Sequence, residues 1–218
     1  MLYLSRLKLN ARNQEARRDM TQPYELHRTI ENAFHDPLHP DDRVLFRLDY
    51  SPRKKEWWVL VQSRYEPNWS FFEQPEWQGY LLTEPETSTF KPEFMTGGVY
   101  KFRLLANPTV KKTIKKERED PRKTRLGLTE EADQLDWLIR KLEAAGTEVV
   151  DCLIVPHGLQ RSHKGYQKQE GQQTHLAVLF EGVLLAKDPA LLKAALQTGI
   201  GSAKGFGFGL LSLAPVRG

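Results

Sequence analysis

The stretch GVYKFRLLAN, residues 98–107, decides how the chain divides. Its apolar and polar residues alternate as in a strand with one buried face. Ahead of it, Pro92 to Gly98 has the composition of a linker. Behind it, a strand-and-helix order starts afresh. The spacing of Leu135, Leu138, Ile139 and Leu142 predicts a helix over Glu130–Ala145, stopped by Gly146. Thr147–Val155 and His175–Ala186 read as strands on either side of a polar hairpin. Asp188 caps a helix that has Pro189 in its first turn, runs to about Gln197 and stops at Gly199. Phe206–Leu213 is the last strand. The order is β, α, β, β, α, β, the split βαβ plan.

Working back toward the start, the same order begins once more. Residues 2–10 (LYLSRLKLN) are strand-like, and the alternation slips phase between Leu4 and Leu7, which allows a bulge or twist. Ala11–Gln22 is polar and carries no assigned element. Pro23 opens a helix over residues 23–35 that ends before Pro37. Val44–Tyr50 and Trp57–Ser63 are strands joined by the polar turn SPRKKE. Residues 64–85 resist assignment apart from a short element near Trp69–Phe72, and Glu86–Phe90 is a closing strand. The expected fold class is α+β, as two tandem ferredoxin-like (split βαβ, RRM-like) domains over 1–91 and 98–218. A length of 218 residues suits two domains of ~100 each.

Composition removes several classes of protein. With 39% hydrophobic and 28% charged residues the chain is globular rather than disordered. Cys152 is the one cysteine, which excludes an intramolecular disulfide and a cysteine-rich zinc site and suits a reducing, cytoplasmic setting. No apolar run approaches the ~20 residues that span a bilayer, and no membrane partner is expected. The first residues, MLYLSRLKLNARNQEARR, do not form a signal peptide.

The net charge of +4 is unevenly placed. Residues 99–128 hold ten Lys/Arg (Lys101, Arg103, Lys111, Lys112, Lys115, Lys116, Arg118, Arg122, Lys123, Arg125) against three acids, a local balance of +7. The other residues hold 22 basic and 25 acidic side chains, or −3. So local an excess attracts a polyanion, most often nucleic acid, although charge runs also occur as solvated loops.

Two constellations carry candidate chemistry. On helix 23–35, Leu26, Ile30, Ala33 and Phe34 form an apolar face, with His27 at its edge and Tyr24 one turn earlier on the same side. Both project near the positive end of the helix dipole, where a phosphate is welcome, and histidine exchanges protons near neutral pH. The same pair also reads as a boundary histidine packed beside its tyrosine. The second constellation is GIGSAKGFGFG at 199–209, with Ser202 and Lys204 among five glycines. It matches neither a P-loop nor G-x-G-x-x-G, and reads equally as a backbone cradle for phosphate or as a tight structural turn. His35 and His39 have a zinc-like spacing without a third ligand, so no metal and no cofactor is expected. Trp57, Trp58, Trp69, Phe71 and Phe72 suit base stacking or a core.

Four motifs taken together resemble a known family: PYELHRTI from residue 23, FRLLANPTVK at 102–111, AVLFEGVL at 177–184 and GIGSAKGFGFGLLSLAP at 199–215. Their order and spacing are similar to the CasE family of CRISPR-associated endoribonucleases of type I-E systems. The resemblance implies two ferredoxin-like domains and metal-independent cleavage of precursor CRISPR RNA just 3′ of a repeat stem-loop. It implies 2′,3′-cyclic phosphate and 5′-OH ends, retention of the product, and membership of a multi-subunit surveillance complex. It places Tyr24 and His27 at the family's catalytic pair, with His27 as acid or base. It places Ser202 and Lys204 near the scissile strand, and Lys111, Lys112, Lys115, Lys116, Arg118, Arg122, Lys123 and Arg125 on the RNA stem. The competing expectation is a non-catalytic RNA-binding subunit of a CRISPR ribonucleoprotein.

Overall fold

The computed structural model describes residues 1–34, 43–116, 119–163 and 172–216, with the backbone alone for residues 112–116, 119–124, 162, 163 and 172. The first half contains β1 (Leu2–Leu9), α1 (Gln14–Thr21), α2 (Pro23–Glu31), β2 (Leu45–Ser51), β3 (Glu56–Ser63) and β4 (Glu86–Phe90). Its strands form an antiparallel sheet in the order β2-β3-β1-β4. The second half contains β5 (Val99–Ala106), β6 (Thr109–Lys116), β7 (Glu119–Gly127), α3 (Glu131–Glu143), β8 (Thr147–His163), β9 (Gln172–Ala186), α4 (Pro189–Thr198) and β10 (Leu211–Pro215). Four of these strands form a second antiparallel sheet, β10-β5-β9-β8, while β6 and β7 pair only with each other. The protein is thus a mixed α and β structure built on antiparallel sheets.

Each sheet buries one face beneath helices. Leu7, Leu9, Val59 and Val61 meet Leu26 and Ile30 of α2 in the first half. Phe102, Leu104 and Phe180 meet Trp137, Leu138 and Leu192 in the second. A smaller cluster of Leu105, Ala177, Leu179 and Phe208, with Ala203 and Phe206 beside it, packs the glycine-rich segment onto the opposite face of the second sheet. The halves meet along β2. Arg47, only 3% exposed, pairs with Asp49 at 3.0 Å and donates to Leu210 O at 3.3 Å and Ser212 Oγ at 3.0 Å. Arg103 bridges Asp49 at 3.2 Å and Glu181 at 3.0 Å. A buried pair with this many partners is costly to break from one side, by about 3–5 kcal/mol.

Several expectations are corrected. The polar stretch 11–22 holds α1, capped by the Asn13 side chain accepting from Ala16 N. Its inward residue Asp19 is polar, satisfied by Thr29 Oγ1 at 2.6 Å and Tyr80 OH at 2.7 Å, so no apolar period announces the helix. β1 runs without a bulge against β3. Its phase slip arises because Ser5 occupies a buried position, bonded to Thr87 Oγ1 at 2.9 Å and to Trp69 Nε1 at 3.2 Å. α2 ends at Glu31, short of residue 35. β8 continues past Val155, because a register shift between Pro156 and Gly158 accommodates the missing proline N–H. The last strand begins at Leu211 rather than Phe206, since Gly207 and Gly209 take φ of 82° and 90° and break the extended backbone. Trp69 and Phe71 belong to the first core rather than to an open stacking surface.

Candidate functional site

α2 starts where it does because Pro23 supplies a pre-set φ and needs no hydrogen-bonded N–H in the first turn. Leu26 and Ile30 then anchor the helix in the core, at 2% and 0% exposure. That anchoring leaves Tyr24 and His27 at the edge of the buried face. The His27 ring stacks on Phe46 of β2, with centroids 5.9 Å apart and planes 10° from parallel. Its Nε2 lies 3.2 Å from Glu31 Oε1, one turn along the helix. Its Nδ1 is buried without a hydrogen-bond partner. The side chain is 22% exposed. Burial lowers its pKa below the ordinary histidine value, and the Glu31 carboxylate partly opposes that shift. Burial thus favours the neutral ring, and Nε2 is the nitrogen that faces Glu31 and Gly205.

The glycine-rich segment crosses from the second half to face this ring. A turn at Lys204–Phe206 packs on α2. A Cβ on Gly205 would stand 3.4 Å from both Cδ2 and Nε2 of His27, filling the space in front of the ring. Phe206 lies 5.8 Å from the Tyr24 ring, and Tyr24 lies 6.3 Å from His27. Lys204 is half-buried; burial first, then the charges of Arg43 and Lys141, lower its pKa. Arg43, just before β2, and Lys141, on α3, thus add to the positive charge felt at Lys204, which an anion would relieve. Ser202 sits in the same segment, half-buried.

The basic segment forms the β6–β7 strand pair, a two-stranded ribbon outside the two larger sheets. Lys111 and Arg125 are exposed cross-strand partners. Like charges placed opposite one another are unfavourable without a counter-charge between them. Lys112, Lys115, Lys116, Arg122 and Lys123 lie on the same two strands by backbone register. Arg118 falls outside the described residues, as do His35 and His39. Among the described residues, no group of three or more His, Cys, Asp or Glu could hold a metal ion, and no helix is long and apolar enough to cross a membrane.

The structure therefore brings Tyr24, His27 and the Lys204 turn together. Sequence reasoning missed Arg43 and Lys141, which lie far apart in the chain and share no local motif. It also missed His175, whose ring lies 4.4 Å from Phe206 and whose Nδ1 accepts from Asn107 Nδ2 at 3.2 Å. The residue preceding Pro108 in the motif FRLLANPTVK was the one available signal for that contact.

Known proteins resemble this chain over nearly its whole length. A family model described as CRISPR associated protein matches residues 2–215. A CRISPR-associated endoribonuclease Cse3 from Thermus thermophilus is 33% identical, covering 98% of this chain and 100% of that protein. The CRISPR system Cascade subunit CasE from Escherichia coli is 32% identical over 88% of this chain and 92% of its own length. Among solved structures, a CRISPR endoribonuclease Cse3 bound to 19 nt RNA superposes with a TM-score of 0.82, at 32% identity, over 98% of this chain and 100% of that one. Thermus thermophilus Cse3 bound to an RNA representing a pre-cleavage complex gives 0.78 at 33% identity, over 98% and 99%. The four sequence motifs and these full-length matches converge: the chain belongs to the CasE family of CRISPR-associated proteins.

Proposed function

We propose that the protein is an endoribonuclease that cuts precursor CRISPR RNA 3′ of the repeat stem-loop and keeps the product as a subunit of a surveillance complex. The observation that carries this reading is the His27 imidazole, fixed on α2 and facing the space in front of Gly205. Relatives named as an endoribonuclease and as a Cascade subunit support both parts of it.

RNA carries its own nucleophile, so the protein needs to orient a ribose and its phosphate, move a proton and stabilise charge. A neutral imidazole accepts the 2′-OH proton at Nε2 once the half-exposed Glu31 carboxylate swings off that nitrogen and the ring proton sits on Nδ1, and Glu31 then stabilises the imidazolium that forms. The 2′-oxygen–phosphorus bond forms as the phosphorus–5′-oxygen bond breaks. The 5′-oxygen takes a proton from water, leaving a 2′,3′-cyclic phosphate and a 5′-OH. Tyr24 positions the ribose or phosphate by hydrogen bonding. Lys204 faces the phosphate charge, and the hairpin holds the stem through its phosphates. No step calls for a metal.

The strand orders support a finer architectural reading. Renumbered within each half, both sheets run 4-1-3-2, the order of a ferredoxin-like domain. We infer two such domains over 1–91 and 98–218, with short 3-10 turns near Trp69 and Pro75 taking the place of the second helix in the first.

The test is cleavage of repeat RNA in EDTA by the parent and His27→Ala proteins, with a second substrate bearing one 2′-deoxy sugar before the cut. Cleavage is expected to survive chelation, to vanish in the variant, and to spare the deoxy substrate although it still binds. Normal cleavage of the deoxy substrate would refute 2′-OH attack.

A further inference from the structure

Buried polar atoms in folded proteins nearly always find a partner, so those that do not mark places built for something else. Among the described residues, three such atoms belong to one contiguous row: Gln160 Oε1, His175 Nε2 and Asn107 Oδ1. Gln160 and His175 are directly opposed on β8 and β9, and His175 is bonded to Asn107 at the root of the basic hairpin. Phe206 covers the row, its ring 4.4 Å from that of His175 and 5.8 Å from that of Tyr24. A cavity of about 380 Å³ in the seam between the halves meets the row at one end: Gln160, His157, Phe206 and Gly207 are part of its lining, and His175 and Asn107 are not. That volume accommodates a nucleobase.

The hydrogen-bond roles are set by chemistry. Asn107 Nδ2 can only donate, so His175 Nδ1 accepts and the proton of the neutral ring sits on Nε2. Burial lowers the His175 pKa and keeps that ring neutral. The row then offers one free donor and two free acceptors beside an aromatic face. Unpaired bases are recognised in this way, by stacking on a ring and hydrogen bonding along an edge. A base inside the stem has its pairing edge occupied, whereas a base beyond the cut does not.

We propose that Gln160, His175 and Asn107, with Phe206 as the stacking face, form a nucleobase site that reads the first unpaired nucleotide 3′ of the scissile phosphate. The inference rests on the endoribonuclease reading, because it takes the cut to lie in front of His27. Phe206 separates this site from Tyr24, so a base held here sets where the neighbouring phosphate stands. Glycines on both sides of Phe206 leave its ring free to adjust as a base enters.

The experiment measures single-turnover cleavage of repeat stem-loop RNAs that differ only at the first position 3′ of the cut: A, C, G, U or an abasic sugar. The parent protein is expected to cut the best of the five at least about tenfold faster than the abasic RNA, the worth of one or two hydrogen bonds. Gln160→Ala and His175→Ala are expected to compress that spread toward unity. Gln160 lies outside the hydrophobic core, so its variant decides the matter if His175→Ala fails to fold. Equal cleavage of all five RNAs by the parent overturns the proposal and leaves the endoribonuclease reading intact. So does a spread that survives both substitutions, or a uniform slowing on every RNA. Cleavage of none of the five overturns the endoribonuclease reading itself.

Discussion

Under the proposed function, the first turns of α2 and the β6–β7 hairpin are opposite solutions to the problem of holding RNA. α2 is anchored by Leu26 and Ile30 in a core, and its His27 is held against Phe46 in one orientation. The hairpin exposes Lys111 and Arg125 and is tied down at its root, where Leu128 N donates to Pro108 O at 3.0 Å and Gly127 lies against Leu176. Proton transfer demands fixed geometry, and a misplacement of an ångström is costly. Phosphate contacts tolerate motion, because charge acts over several ångströms. Chemistry and affinity are therefore separable by mutation.

The sharpest way to break this comparison is His27→Ala. Single-turnover cleavage is expected to fall by about 10²–10⁴, the usual worth of a positioned acid or base, while RNA affinity stays within about twofold. A matching loss of affinity in a binding titration would show that α2 is a gripping element after all. Next is the seam that holds the glycine segment against α2. Arg47→Ala is expected to cost about 3–5 kcal/mol in denaturant unfolding, because Asp49 is left buried and less compensated. Arg47 also bonds to Leu210 O, beside the glycine segment, so cleavage should suffer more than affinity. A loss below about 1 kcal/mol would mean that the halves do not depend on this pair.

The hairpin side is probed by Lys111→Ala/Lys112→Ala. Affinity should weaken, and the salt dependence of binding should flatten by roughly 0.7–0.9 for each phosphate that is no longer neutralised, with the cleavage rate at saturating RNA little changed. An unchanged salt slope would take those residues off the RNA. The smallest effect is expected from Glu31→Gln. Burial depresses the His27 pKa and Glu31 opposes it, so removing the carboxylate lowers it further. For a base, rate rises with pH through that pKa and then levels. The acid limb of the profile should therefore move to lower pH in the variant; a move to higher pH would contradict the pairing.

Legibility from sequence followed packing. α4 was readable because Asp188, Pro189 and Gly199 mark its ends chemically, and the structure places it at Pro189–Thr198. α1 was not, because its inward face carries Asp19, whose partners Thr29 and Tyr80 come from elsewhere in the chain. The hairpin was legible as charge but not as strands, since its cation-rich sequence shows no apolar period. Tyr24 and His27 were visible as neighbours on one helix. Their meeting with Gly205 and Phe206 was not, because the two segments lie nearly the whole chain apart.

By itself the sequence determined the local elements: two runs of strands and helices, a cationic segment and a glycine-rich segment. These depend on side-chain period, caps and charge within a few residues. The tertiary structure alone decided that the glycine segment stands before His27, that Lys204 feels the charges of Arg43 and Lys141, and that Gln160, His175 and Asn107 keep unpaired polar atoms, His175 against Phe206. Those outcomes depend on how two sheets dock along β2, and docking is governed by the summed burial of residues that no local spacing connects.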